Sequence, residues 1–327
     1  MDVAASSVRY QSSHEAMGTF FSVIAYGESS VPLERAVRKA FQEVDRLNST
    51  MSHYKPESEL CAINREAWRQ EVVVTPELFK LLEDSLRYSE ETTGTFDITI
   101  GPLMKSWGFF RGWGRLPSPA ELAQVMGRIG YRHIKLDVAA RTISFDKPGI
   151  ELDLGAIGKG YAVDRAVEVL RGEGITQALV SSGTSSIYAL GSPPGEQGWK
   201  ISVCHPFDRR KGVCSLRLQN LSLSVSGDYE QFFQLEGKIY AHIMDPRTGM
   251  PAEGILMTAV ISTLASESDA LSTSFFVGGV ESSRAYLERH PNLTALLYTL
   301  VPSQRAVEQI MLKSSVMNLP VHSFAIM

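Results

Sequence analysis

The sequence predicts an α+β fold in which subdomains interleave around a common core. Three observations lead there. Strand-like and helix-like segments mix without a strict βαβα rhythm, which favours α+β over a doubly wound sheet. No Pro/Gly/Ser-rich linker cuts the 327 residues into two beads. The composition, 44% hydrophobic and 21% charged, is that of a globular chain with a sizeable core.

Taken in order, Phe20 to Tyr26 reads as an apolar strand closed by Gly27. A helix follows from Pro32 to about Asn48, with Leu33, Ala36, Val37, Ala40, Phe41, Val44 and Leu47 as its buried stripe. The polar run STMSHYKPESELCAINRE predicts a loop leading into a short helix. Thr75-Pro76-Glu77 starts the next helix with a capping hydroxyl, a first-turn proline and an acid. Leu78, Leu81, Leu82 and Leu86 carry it to about Thr92. Gly94 to Arg115 reads as loop-rich, and Ser118-Pro119-Ala120-Glu121 opens another helix. His133 to Leu136 and Thr142 to Phe145 predict a hairpin.

That hairpin leads into Glu151 to Val180, the stretch around which the chain is organised. Ile150, Leu152 and Leu154 alternate with Glu151 and Asp153, as in a half-buried strand. Gly155, Gly158 and Gly160 follow, then a helix marked by Val163, Ala166, Val167 and Leu170 and stopped by Gly172 and Gly174. Gln177 to Ser182 is the next strand. A glycine turn feeding a helix start suits phosphate, because free N–H groups and the helix dipole point at it. Neither the P-loop nor the Rossmann glycine pattern is met. The stretch alone reads more plainly as a tight strand-to-helix connection with Lys159 solvated. Further on, Ser186 to Ile261 reads as short strands and turns, Asp269 onward as a helix, Glu281 to Arg289 as a second short helix, and Leu293 to Leu300 as a strand.

Composition sets limits. A net charge of −4 argues against a broad nucleic-acid-binding surface. No run of 18 apolar residues suggests a membrane span. The first residues show no basic segment followed by an apolar one, so the expectation is a cytoplasmic protein, with a periplasmic one as the alternative if a signal has been removed. Cys61, Cys204 and Cys214 make no C-x-x-C pair, and three cysteines do not make a disulfide framework.

Three further segments carry groups capable of chemistry. In ASESDALSTSFFVGG (265–279), a helix would place Ser272 and Thr273 on the face of Asp269. One carboxylate and two hydroxyls suit magnesium or calcium rather than zinc. The plainer alternative is that Ser266 or Ser268 caps the helix and Asp269 sits in its first turn. In YAHIMDPRTGMP (240–251), Asp245 to Gly249 form a turn and His242 stands in a strand-like run. In LSLSVSGDYEQFF (221–233), Ser226-Gly227-Asp228 sit at a turn.

Together these segments resemble the ApbE family of flavin transferases, which use FAD to attach FMN to proteins. The matching pieces are Met17-Gly18-Thr19, MSHYKPESEL from Met51, GTFDITIGPLMKSWGF from Gly94, DLGAIGKGYAVD from Asp153, SGDYE from Ser226, HIMDPRTG from His242 and SDALSTSFFVG from Ser268. The family's paired-glycine stretch departs here, with Thr184 after Gly183.

The resemblance implies a domain at 17–315, with an extension at 1–16 and a tail at 316–327. It implies mixed sheets flanked by helices around a central FAD cleft. The expected chemistry is magnesium-dependent transfer of FMN from FAD to a threonine or serine of an acceptor protein, with AMP released. The alternatives are an FAD pyrophosphatase using the same site and a non-catalytic protein that stores FAD. Implied metal ligands are Asp269, Thr273, the Gly158 carbonyl and Ser272, which stands where some relatives have a further ligand. Asp269 is expected to face the surface and to add little to the core. Implied FAD contacts are Met17, Tyr54, Asp97, Ile98, Thr99, Gly155, Tyr161 and Met244. Tyr54 can stack on a flat ring and Asp97 can accept hydrogen bonds from one, although a packed aromatic and a turn cap are the plainer readings. His242 is the candidate general base or phosphate-orienting group, with Asp228 as its rival. Lys159 offsets phosphate charge or faces solvent. The expected partners are FAD and the acceptor protein, with no nucleic acid and no transmembrane segment. The chain is expected to be a monomer or a homodimer.

Overall fold

The computed structural model describes residues 7–112, 114–228, 232–235, 237–301, 306–313 and 321–323. The chain opens with β1 (Val8–Ala16), β2 (Thr19–Gly27), α1 (Ser30–Thr50), α2 (Glu59–Glu66), β3 (Val72–Val73) and α3 (Pro76–Glu91). It continues with α4 (Gly101–Ser106), α5 (Pro119–Met126), β4 (Ile134–Asp137), β5 (Thr142–Phe145) and α6 (Gly158–Gly172). Next come β6 (Ala178–Ser182), β7 (Ser186–Leu190), β8 (Trp199–Cys204), β9 (Gly212–Leu218), β10 (Leu221–Gly227), β11 (Phe232–Leu235) and β12 (Lys238–Ala241). The described chain closes with β13 (Met257–Ser262), α7 (Ala265–Arg289), β14 (Thr294–Val301), β15 (Ala306–Lys313) and β16 (Val321–Ser323).

An antiparallel sheet of eight strands, ordered β1-β2-β6-β7-β10-β13-β14-β15, is the spine. Both of its faces are covered. One carries α1, α6 and α7 over a core that includes Phe21, Val23, Val180, Val260, Leu271 and Phe275. The other carries the small sheet β16-β9-β8, where Trp199, Ile201 and Leu216 meet Met257, Ala259, Ile261 and Leu296. Strand β13 shows the period of two: Met257, Ala259 and Ile261 go to one core and Val260 to the other. A satellite cluster gathers Leu103, Trp107, Val125, Ile129 and Met244. The architecture is the α+β arrangement expected, with helices flanking mixed sheets.

Much of the local reading holds. The buried stripe of α1 is the seven residues that its periodicity names. Strands β4 and β5 pair as the expected hairpin. Ser118 caps α5 by accepting from the Glu121 N–H. The two predicted late helices are one element, α7, broken at Gly279, where φ is +72°.

Four local expectations change. Residues 150–154 have no regular secondary structure and join no sheet among the described residues; instead the side-chain amide of Asn64 bonds the Leu152 backbone both ways, and the Asp153 N–H reaches the Ile98 carbonyl. Thr75 does not cap α3, because its N–H and hydroxyl both donate to the Glu59 carboxylate. The loop-rich 94–115 contains α4 and a 3-10 turn at Phe109–Arg111. Neither Ser266 nor Ser268 caps α7; the Asp164 carboxylate, from α6, accepts from the Ala265 and Ser266 N–H groups.

The segment 1–16, set apart in the sequence as an extension, contributes β1, which pairs with β2 along its length. Of the expected tail, β16 pairs with β9, and residues 316–320 and 324–327 lie outside the described residues. No described helix is long and apolar enough to cross a membrane.

Candidate active site

A cleft of about 530 Å³ opens at one end of the central sheet. Strand register decides what lines it. Ala16 pairs with Thr19, so Met17 and Gly18 form a two-residue hairpin turn with φ of +50° and +70°. Phe21 pairs with Ser182 and Ser186 with Ser224, which sets that turn beside the β6–β7 turn and the end of β10. Met17, Thr184, Ser185 and Ser226 therefore share the cleft wall. The segment 153–159, the loop before α4 and one face of α7 complete it.

The glycine turn and the late helix meet at Gly160. Its N–H donates to Asp269 Oδ2 at 2.8 Å. A Cβ at Gly160 would stand 2.1 Å from the Ala265 carbonyl oxygen and 2.7 Å from Asp269 Cβ. Only glycine allows α6 and α7 this close. Asp269 is thus buried, 4% exposed, rather than surface-facing as expected. Its Oδ1 accepts from Ser186 Oγ at 3.0 Å. Burial pushes its pKa up, against the pull of Lys159 and these two hydrogen bonds.

Asp269, Thr273 and Gly158 all line the cleft, as does Lys159. Ser272 does not. It is buried, with Oγ 2.8 Å from Ser226 Oγ and 2.9 Å from the Asp269 carbonyl that it donates to. The fit to a magnesium ion rests on donor chemistry: Asp269, held by two neutral donors, shares the cleft lining with Thr273 and Gly158, and carboxylate, hydroxyl and carbonyl oxygens are the donor types that ion takes. Among the described residues no three His, Cys, Asp or Glu side chains gather at metal-binding distance.

The implied FAD contacts divide. Met17, Tyr54, Asp97, Ile98, Gly155 and Met244 line the cleft. Tyr54 is 67% exposed at its wall. Asp97 is already engaged: Oδ1 accepts from Thr99 N–H and Oγ1, and Oδ2 from the Tyr131 N–H. Thr99 is buried behind it and holds its carboxylate, while its own Oγ1 accepts from the Gly130 N–H. Tyr161 is not among the lining residues; its hydroxyl donates to Glu77 at 3.2 Å.

His242 lines the cleft directly after β12, with its ring edge-on to Phe109 at 6.4 Å. Asp228 is not among the lining residues, and burial raises its pKa. Tyr229 and Glu230, the end of the matching SGDYE piece, lie outside the described residues.

Several lining residues were given no role in the sequence reading: His53, Phe110, Asp153, Ser185 and Ser226. His53 packs against Tyr54 at 3.9 Å and Phe110 at 4.4 Å, with Nδ1 3.6 Å from Asp153 Oδ1. Burial lowers its pKa, opposed by Asp153. Its place next to Tyr54 in MSHYKPESEL was the available hint. Thr184, the departure from the paired glycines, accepts from Arg209 Nη2 at 2.9 Å.

Known proteins share this architecture. The ApbE family model matches residues 17–297. A Treponema pallidum protein named FAD:protein FMN transferase is 30% identical over 312 residues, 90% of this chain and 85% of its own. One of that name from Klebsiella pneumoniae is 31% identical over 268 residues, 81% and 83% of the two chains. Among solved structures, the ApbE protein of Thermotoga maritima superposes with a TM-score of 0.84 at 28% identity, covering 92% of this chain and 97% of that one. Fold and cleft together define an α+β enzyme of the transferase class. The chain belongs to the ApbE family.

Proposed function

We propose that this chain is a magnesium-dependent FAD:protein FMN transferase. In this reading the cleft holds FAD, and a threonine or serine hydroxyl of an acceptor protein attacks the phosphorus on the FMN side of the pyrophosphate. A new P–O bond forms to the acceptor, the bond to the bridging oxygen breaks, and AMP leaves with that oxygen. The observation that carries the reading is the Gly160–Asp269 hydrogen bond, which ties a phosphate-suited glycine turn to a buried carboxylate inside one cleft.

Asp269, Thr273 and the Gly158 carbonyl would hold the magnesium ion, which supplies charge neutralisation at the pyrophosphate. Ser272 holds the first turn of this arrangement by its bonds to Ser226 and the Asp269 carbonyl. Lys159, on the first turn of α6, adds a positive charge at the same end of the cleft. Such transfer depends on positioning and charge more than on covalent catalysis. His242 takes the proton of the attacking hydroxyl, with Asp228 as the rival base. Met17, Tyr54, Ile98, Gly155 and Met244 line the path of the dinucleotide, and Asp97, braced by Thr99, shapes its wall.

The test is to incubate the protein with FAD and magnesium, with and without an acceptor protein bearing an accessible threonine or serine. AMP released only with the acceptor, and flavin fluorescence on the acceptor band of a denaturing gel, is the expected result. AMP without the acceptor would make the chain an FAD pyrophosphatase, and no AMP in either case a storage protein.

A further inference from the structure

We propose that the β8–β9 loop, residues 205–211, is a docking surface for the acceptor protein. It takes an acidic segment that carries an apolar side chain, next to the residue to be modified. The proposal rests on the reading of the chain as a transferase whose second substrate is a protein.

Place comes first. Thr184 is exposed and also lines the cleft, so it stands at the rim. Its hydroxyl accepts from Arg209 Nη2 at 2.9 Å, which fastens the loop to that rim. An acceptor must bring its hydroxyl into the cleft, and the residues on either side of that hydroxyl then lie along the rim.

The loop is also prearranged. His205 is buried, and its Nδ1 accepts from the N–H groups of Phe207 at 3.1 Å and Asp208 at 3.3 Å. The Lys211 N–H closes a turn on the Asp208 carbonyl at 2.9 Å, and the His205 N–H reaches the Lys211 carbonyl at 2.9 Å. This frame holds the backbone beneath Phe207, whose side chain is left 63% exposed. A group already fixed in place loses little freedom on binding. Aromatic and arginine side chains carry much of the energy of protein interfaces. Phe20 adds apolar surface at the same rim: it is 62% exposed, and its carbonyl accepts from the Gly183 N–H beside Thr184.

Charge names the partner. Arg209-Arg210-Lys211 is the only run of three consecutive cations in a chain of net charge −4. Asp208 pairs with Arg210, so three cations stand against one carboxylate in the loop. A positive spot on a negative chain selects an acidic partner and steers its approach.

The experiment is fluorescence anisotropy of two labelled peptides on the protein loaded with FAD and magnesium. Each peptide carries one threonine and one leucine; the flanking residues are aspartates in one and asparagines in the other. Wild type should bind the aspartate peptide roughly tenfold tighter at low salt, and the difference should shrink as salt rises. Arg210→Ser with Lys211→Ser should remove most of that preference. Arg35→Ser with Arg38→Ser, on α1, makes the same change in net charge and should keep it. Phe207→Ser should weaken both peptides by a similar factor. FAD affinity by calorimetry and the circular dichroism spectrum should be unchanged in all three variants. Equal or absent binding of the two peptides by wild type overturns the proposal, as does a preference that survives Arg210→Ser with Lys211→Ser. Equal loss in the α1 control would make the preference an effect of net charge, and unchanged peptide affinity in Phe207→Ser would remove the anchor; either result overturns it too. Altered FAD affinity in the loop variants would make the loop part of the FAD site instead. The transferase reading fails separately, if wild type binds no FAD or if an acceptor draws no AMP from it.

Discussion

Gly160 donates its backbone N–H to Asp269 at 2.8 Å, across 109 residues of chain. The bond exists because the two helices touch backbone to backbone at that point. It carries the end of α6, and with it the 153–159 turn, onto the one face of α7 that bears a carboxylate and a hydroxyl at the cleft.

Gly160→Ala tests that contact. The added Cβ would stand 2.1 Å from the Ala265 carbonyl oxygen, which is backbone and cannot swing aside. The helices must separate, at a cost of about 1–3 kcal/mol. Urea denaturation should show the lower midpoint, and transfer activity should fall by more than the unfolded fraction accounts for. Wild-type stability would mean that α6 and α7 are not packed this closely.

Asp269→Ala should abolish metal-dependent transfer. Because Asp269 is buried, the variant should also lose about 1–3 kcal/mol, leaving the Gly160 N–H and the Ser186 hydroxyl without their acceptor. Thr273→Ala should raise the magnesium concentration needed for half-maximal rate, with little loss of stability. Ser272→Ala should do the reverse, because its oxygen is spent inside the protein. Rates measured against magnesium concentration, with denaturation curves beside them, separate the three. Full metal dependence in Asp269→Ala would remove the carboxylate from the metal site.

His242→Ala should slow transfer by about 100-fold or more while FAD binding persists, since a base acts on the attacking hydroxyl in the transition state. Single-turnover transfer and equilibrium FAD binding, measured on the same preparation, check this. An unchanged rate would pass the role to Asp228.

Asp164 supplies the pH prediction. Burial lifts its pKa from 3.8 to about 6, although the Ala265 and Ser266 N–H groups and the Ser266 hydroxyl all donate to it. A carboxyl with a folded pKa above its unfolded one contributes stability while protonated, and that contribution is lost as pH rises through about 6. Stability should therefore carry a downward component between about pH 4 and pH 7, on the order of 3 kcal/mol. Asp164→Asn cannot ionise, so its Tm–pH profile should lack that component. Parallel profiles for the two proteins would show that Asp164 titrates alike in both states.

The sequence by itself determined whatever depends on neighbours a few residues away. The stripe of α1 follows from a period of 3.6, the β4–β5 hairpin from two short apolar runs, and the Ser118 cap from a hydroxyl three residues before Glu121. The motif order, through its resemblance to the ApbE family, also named Asp269, Thr273, Tyr54 and His242, which the fold gathers into one cleft. Only the tertiary structure decided how each of those residues is engaged. The alternation at 150–154 looks like a strand, but among the described residues it joins no sheet, and Asn64 bonds the Leu152 backbone instead. The cap of α7 comes from Asp164 on another helix, not from the nearby serines. Thr99 and Ser272, which the resemblance implies as ligands, have hydroxyls that bond Asp97 and Ser226. His53 has no periodic signal of its own, and its Asp153 neighbour is far along the chain. The physical reason is common to all of these. Periodicity and turn chemistry act over a few residues, whereas a buried polar group takes whatever partner packing brings within reach, and packing is settled by the whole fold.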